Sequence, residues 1–95
     1  MSEKAPIHDL KCWPEPFAAI CSEAKRHEFR RDDRGYEVGD LLLLREWDPA
    51  TQTYCGDEAK VRVTYLSRGP DWGIPDGFVV MSIALVSIGR GGPKR

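Results

Sequence analysis

Lys25, Glu28 and Arg30 place one carboxylate between two cationic side chains within a short stretch of the chain. On a strand Glu28 and Arg30, two residues apart, share a face with a separation of about 7 Å. Lys25 can join them only from a turn that leaves a preceding helix. An acceptor flanked by two charged donors can read the polar edge of a base and hold a nearby phosphate. The competing reading is a solvated set of charges that protects an edge strand from pairing with another chain. Lys11, Arg31, Arg26 and Arg34 extend the basic character, and Asp32 and Asp33 offset part of it. His8 reads either as a satisfied strand histidine or as a pocket donor. Trp13, Trp47 and Trp72 could stack on a base, a contact worth about 1–3 kcal/mol. Trp13 and Trp47 read as core or barrel-end plugs. Trp72, amid glycines and prolines where nothing forces burial, is the one expected to stack on a base or touch a partner.

His8, His27, Cys12, Cys21 and Cys55 show neither C-x-x-C nor H-x-x-x-H spacing, so neither a metal site nor a cofactor is expected. Phosphodiester cleavage by Lys25, Arg30 and His27 would rest on one histidine with no paired base, which is thin support for a ribonuclease.

These side chains need elements to position them. Ile7 to Leu10 alternates with the period of a half-buried strand. Pro14 and Glu15 suit a first helical turn, and Phe17, Ile20, Cys21 and Ala24 recur on one buried face, which predicts a helix ending near Ala24. His27 to Arg31 returns to a period of two, read as a strand with Phe29 inward. After turns at Asp32–Gly35 and Val38–Asp40, Leu41–Leu44 suits a strand covered on both faces. Asp48–Thr51 is a turn, and Ala59–Leu66, alternating through Val61, Val63 and Tyr65, completes a hairpin. A loop at Gly69–Gly77 precedes a strand over Phe78–Ile83 that extends toward Ile88. The predicted core is Leu42, Leu44, Val61, Val63, Val80 and Ile83, with Phe17 and Ile20 packing the helix against it. One main helix with about five strands joined by short turns predicts an α+β, β-rich fold: a small, partly closed β-barrel.

Ninety-five residues suit one domain. Residues 1–88 are expected to form it, and residues 89–95 a disordered basic tail. The net charge of −1, from 14 Lys+Arg against 15 Asp+Glu, excludes a global positive field, so any phosphate recognition must be local. Three cysteines cannot all pair within one chain, and Met1–Lys4 leads into polar sequence rather than a signal peptide, so a reducing cytoplasm is expected. The apolar run Gly77–Ile88 is broken by Ser82 and Ser87 and falls short of the ~20 residues that span a bilayer. A monomer with no membrane segment is the expectation.

In this order of motifs the chain resembles the ASCH/PUA-like superfamily, and within it the short, phage-associated DUF3850 branch. The superfamily motif is G-x-K-x-x-E-x-R. Here Glu23-Ala24-Lys25-Arg26-His27-Glu28-Phe29-Arg30 supplies the Lys, Glu and Arg, with Glu23 in the glycine's place. His8-Asp9-Leu10-Lys11, Trp13-Pro14, Asp32-Asp33-Arg34, Val38-Gly39-Asp40, Tyr65-Leu66 and Val80-Met81-Ser82-Ile83 also match, so the resemblance covers about residues 7 to 84. It implies a PUA-like barrel and a noncatalytic module that binds RNA or a nucleotide-like ligand through Lys25, Glu28 and Arg30, with Arg31, Lys11, His8 and Trp72 around them. Some ASCH-like proteins are amidohydrolases acting on acetylated cytidine. Lys25 falls on their lysine, but Glu28 stands where they carry threonine, and a carboxylate there favours the charged ammonium over the neutral amine that catalysis needs. A third expectation is a phage protein that inhibits a host complex by protein contact.

Overall fold

The structure, a computed structural model, describes residues 5–91. Five strands form one sheet: β1 (Ile7–Cys12), β2 (His27–Arg31), β3 (Leu41–Asp48), β4 (Thr53–Arg68) and β5 (Phe78–Gly89). Helix α1 (Pro14–Cys21) lies between β1 and β2, and a 3-10 turn at Asp71–Gly73 lies in the β4–β5 loop. The spatial order is β1-β3-β4-β5-β2, with β1 parallel to β3 and every other pair antiparallel.

Register shifts at Arg45/Trp47 in the β3–β4 pair, and at Lys60/Val61 and Val63/Tyr65 in the β4–β5 pair, bend the sheet. It curls into a half-barrel whose two edges, β1 and β2, face each other across a seam. Arginine side chains bridge that seam: Arg30 Nη2 donates to the Lys11 carbonyl at 2.8 Å, and Arg34 Nη1 to the Asp9 carbonyl at 3.3 Å. Edge carbonyls that would otherwise be open to a foreign strand therefore find donors within the chain.

The inward faces of β3, β4 and β5 carry Leu42, Leu44, Val61, Val63, Val79, Met81 and Ile83, and Phe17 and Ile20 dock α1 onto them. Leu41 and Leu43 are half-buried on the other face, so the leucine run is covered unequally on its two sides. Val80 is not in this core. Side chains alternate along β5, and because Val79, Met81 and Ile83 point in, Val80 must point out. The same parity overturns the inward placement of Phe29, which is 52% exposed and pairs with Val80.

The helix stops at Cys21 rather than near Ala24. Ser22 N–H donates to the Ala18 carbonyl, Lys25 N–H reaches back to the Ala19 carbonyl, and Glu23 between them takes φ +65°. That left-handed backbone is costly for a residue with a Cβ. It accounts for a glycine in the resembled motif at the place where Glu23 stands.

β4 and β5 run well past the alternating apolar segments, because ladder hydrogen bonds continue where side chains are no longer buried. Gly89 is thus a strand residue, and the next two residues are held by Asp57, which accepts from Arg90 Nη1 and from Gly91 N–H, each at 3.0 Å. These contacts correct the placement of residues 89–91 in a disordered tail; residues 92–95, like residues 1–4, lie outside the described part. No helix among the described residues is long and apolar enough to cross a membrane.

Candidate functional site

The left-handed exit from α1 turns the chain sharply into β2 and brings Lys25 back toward the strand. Glu28 lies on the inward face of β2 opposite Met81 and is only 4% exposed. A carboxylate survives there because both oxygens are used: Lys25 Nζ donates to Oε2 at 3.2 Å and Arg30 Nε to Oε1 at 2.7 Å. Lys25 Nζ also donates to the His27 carbonyl at 2.6 Å. Since Arg30 holds the Lys11 carbonyl as well, the ion cluster is part of the seam, and the reading of solvated edge charges does not describe it.

Beside the cluster opens a cleft of about 380 Å³, lined among others by Lys11, Cys12, Trp13, Lys25, His27, Glu28 and Arg30. Its size is that of small-ligand sites. Across a wall formed by Phe29 and Arg30 lies a second cleft of about 310 Å³, with Arg31, Arg34, Asp33, Tyr36 and Phe78 in its lining. Lys11, Lys25, Arg30, Arg31 and Arg34 thus gather along one seam against Glu28, already paired twice, and Asp33. A chain of net charge −1 presents a locally positive groove.

Four of the residues read from sequence as contacts, Lys11, Lys25, Glu28 and Arg30, line the first cleft, and Arg31 lines the second. His8 lines neither. Its Nε2 donates to Asp40 Oδ2 at 2.9 Å and its ring meets Tyr36 edge-on at 4.8 Å. Asp40 is buried and also accepts the Glu37 N–H at 3.0 Å, so His8 satisfies a buried carboxylate rather than serving as a pocket donor. Trp72 is 86% exposed on the β4–β5 loop and belongs to neither cleft.

Trp13, a stacking candidate that the sequence favours as a plug, and Phe29, expected to face inward, are both surface residues. Trp13 occupies the position before the first helical turn, is 58% exposed and lines the first cleft, so it is not a plug. Its place next to Pro14 was the available signal, because a residue outside the first turn need not follow the buried helix face. Trp47 is half-buried under Lys11, whose Nζ lies 4.3 Å from the ring centroid. Among the described residues no three His, Cys, Asp or Glu side chains converge in a way that could hold a metal ion.

Cys12 forms part of the cleft floor, and burial pushes its thiol from 9.0 up to about 12, with the Glu28 charge adding to the rise and Arg30 and Lys25 opposing it. The folded value lies above the unfolded one, so the stabilising contribution is complete below about pH 9 and is lost as pH rises toward 12. Stability measured by urea unfolding is therefore expected to fall more steeply above about pH 9 in the parent protein than in Cys12→Ala. Parallel curves would place the thiol in contact with water.

Residues 7–83 match the model of a family described as "Domain of unknown function (DUF3850)". A curated relative from Escherichia phage P2, named "Uncharacterized 12.9 kDa protein in GpA 3'region", is 37% identical over 68 residues, a match that covers 72% of this chain and 61% of the relative. The chain spans about three fifths of that relative's length.

Proposed function

From a chain that belongs to the DUF3850 family, we propose a PUA-like module of the ASCH type that binds single-stranded RNA or a nucleotide-like ligand without transforming it. The observation that carries this reading is the Lys25–Glu28–Arg30 cluster beside a cleft of about 380 Å³ with Trp13 exposed in its lining. Glu28 holds both cations in fixed positions, and each keeps donors beyond those it has already used. An ammonium and a guanidinium held beside an exposed indole suit a phosphate and a base together. Local charge in a chain of net −1 also suits a ligand recognised through few phosphates.

The same contacts argue against lysine catalysis. A nucleophilic or basic lysine must be free to turn its nitrogen to the substrate, whereas Lys25 Nζ is tethered by donation to both a carboxylate and a carbonyl, at 3.2 and 2.6 Å. Acetylated cytidine is expected to remain intact after incubation with the protein, as chromatography would show.

Binding of a labelled single-stranded RNA, followed by fluorescence anisotropy in rising salt, is expected to give a slope of log K against log salt on the order of −1 to −3. Lys25→Ala is expected to weaken binding by roughly 1–3 kcal/mol while the melting curve stays cooperative. Binding indifferent to both salt and Lys25→Ala would overturn the proposal.

A further inference from the structure

The first cleft is not where the groove ends. Phe29 and Arg30 stand between it and the second cleft and line both. On the outward face of β2, Phe29 stacks on Phe78 with ring centroids 5.3 Å apart and planes tilted by 19°. The Arg31 guanidinium carbon lies 4.9 Å from the Phe78 centroid. The register explains this arrangement: Arg31 pairs directly with Phe78, Phe29 pairs with Val80, and Phe29 therefore meets Phe78 on the diagonal. The packing of Phe78 leaves Phe29 still 52% exposed. A ring backed by another ring and a guanidinium is a rigid platform, and ordering it requires little further loss of side-chain freedom.

We infer that the second cleft is a second nucleotide subsite, so that the groove holds two consecutive nucleotides of one single strand rather than one free nucleotide. The inference rests on the proposed function and specifies its ligand. One nucleotide occupies the first cleft beside Lys25 and Arg30. The next lays its base on Phe29, and the phosphate on that side meets Arg31 and Arg34. Stacking on an aromatic face tolerates any base, and guanidinium contacts to phosphate carry no sequence information, so the second subsite adds affinity without strict sequence preference. Volumes of about 380 and 310 Å³ match one nucleoside-sized ligand each. The Arg34–Asp9 contact, at 3.3 Å to a carbonyl, is long for a guanidinium donor, and a phosphate would compete for it well.

The test compares adenosine 5′-monophosphate with the 5′-phosphorylated dinucleotide pApA, both by calorimetry on the full chain, for the parent protein, Arg34→Ala and Phe29→Ala. The expected result is that pApA binds at least tenfold more tightly than the monophosphate to the parent protein. Each variant, shown to be folded by its circular dichroism spectrum, is expected to lose most of that advantage. Equal affinity for the two ligands, or an advantage that survives both variants, overturns the second subsite and leaves the proposed function standing. Absence of binding by either ligand, and by a single-stranded RNA hexamer of random sequence, overturns both. The deoxy dinucleotide is the remaining arm: an equal gain keeps the second subsite and removes any preference for RNA over DNA.

Discussion

Leu44→Ala is expected to remove about 2–5 kcal/mol of stability and to lower the melting temperature by more than about 10 °C. Leu44 is 0% exposed on β3 and lies between Leu10 of β1 and Ala59 of β4 in the register. Both neighbours are fixed by ladder hydrogen bonds, and Ala59 has no side chain that could swing in. The space left by three lost carbons therefore stays largely unfilled, which is the condition for the upper part of the range. A domain of this size has only about 5–15 kcal/mol in all, so the variant should be partly unfolded at modest urea concentration. Equilibrium urea unfolding checks this, with the slope m unchanged if only the folded state is affected. A midpoint equal to the parent's would place Leu44 outside the core.

The second large effect is expected at Glu28. Removing its carboxylate by Glu28→Ala leaves Lys25 and Arg30, each with a side chain 24% exposed, as like charges with no anion between them. It also frees Arg30, the residue that ties β2 to β1 through the Lys11 carbonyl. A fully buried pair broken in this way costs about 3–5 kcal/mol, and the partial exposure of the two cations reduces the expected loss to about 2–3 kcal/mol. A double-mutant cycle of Glu28→Ala with Arg30→Ala separates this cluster from solvated edge charges. A coupling energy above about 0.5 kcal/mol supports the cluster, and simple additivity would mean that the Glu28–Arg30 contact contributes nothing to stability. Because Glu28 supports the fold, the cleaner ligand-binding test is at Arg34, whose hydrogen bond goes to the Asp9 carbonyl and not to Glu28, whereas Lys25→Ala takes one of the two donors from the buried carboxylate and is read beside its own melting curve.

Much of the fold was legible because local signals agreed with one another. The bounds of β2 follow from His27–Arg31 alternating between a helix exit and an aspartate turn. Pro14 with Glu15 marked the start of α1, and the apolar alternation at Val61 and Val63 marked the buried stretch of β4. The resemblance through Lys25, Glu28 and Arg30 likewise pointed to the DUF3850 family that the comparisons support. Periodicity needs only near neighbours, so one sequence suffices to show it.

Which face turned inward was a different question. In β2 the apolar Phe29 stands between Glu28 and Arg30, and hydrophobicity alone sends Phe29 to the core. The opposite outcome depends on two cations supplied to Glu28, one by a left-handed turn at Glu23 and one from two residues along the strand, and on a seam where β1 offers its Lys11 carbonyl. Val80 turns outward for a related reason: in a continuous apolar strand every residue is a plausible core residue, and only the pairing with β2 and β4 selects the parity of Val79 and Met81. His8 and Trp72 were separated from the cleft by topology, since nothing local announces that His8 will face Asp40, thirty-two residues away. By itself the sequence determined the elements, their approximate bounds and the charged residues that gather at β2. The tertiary structure alone decided which of those residues meet, because burial of a charge depends on partners brought together across the seam.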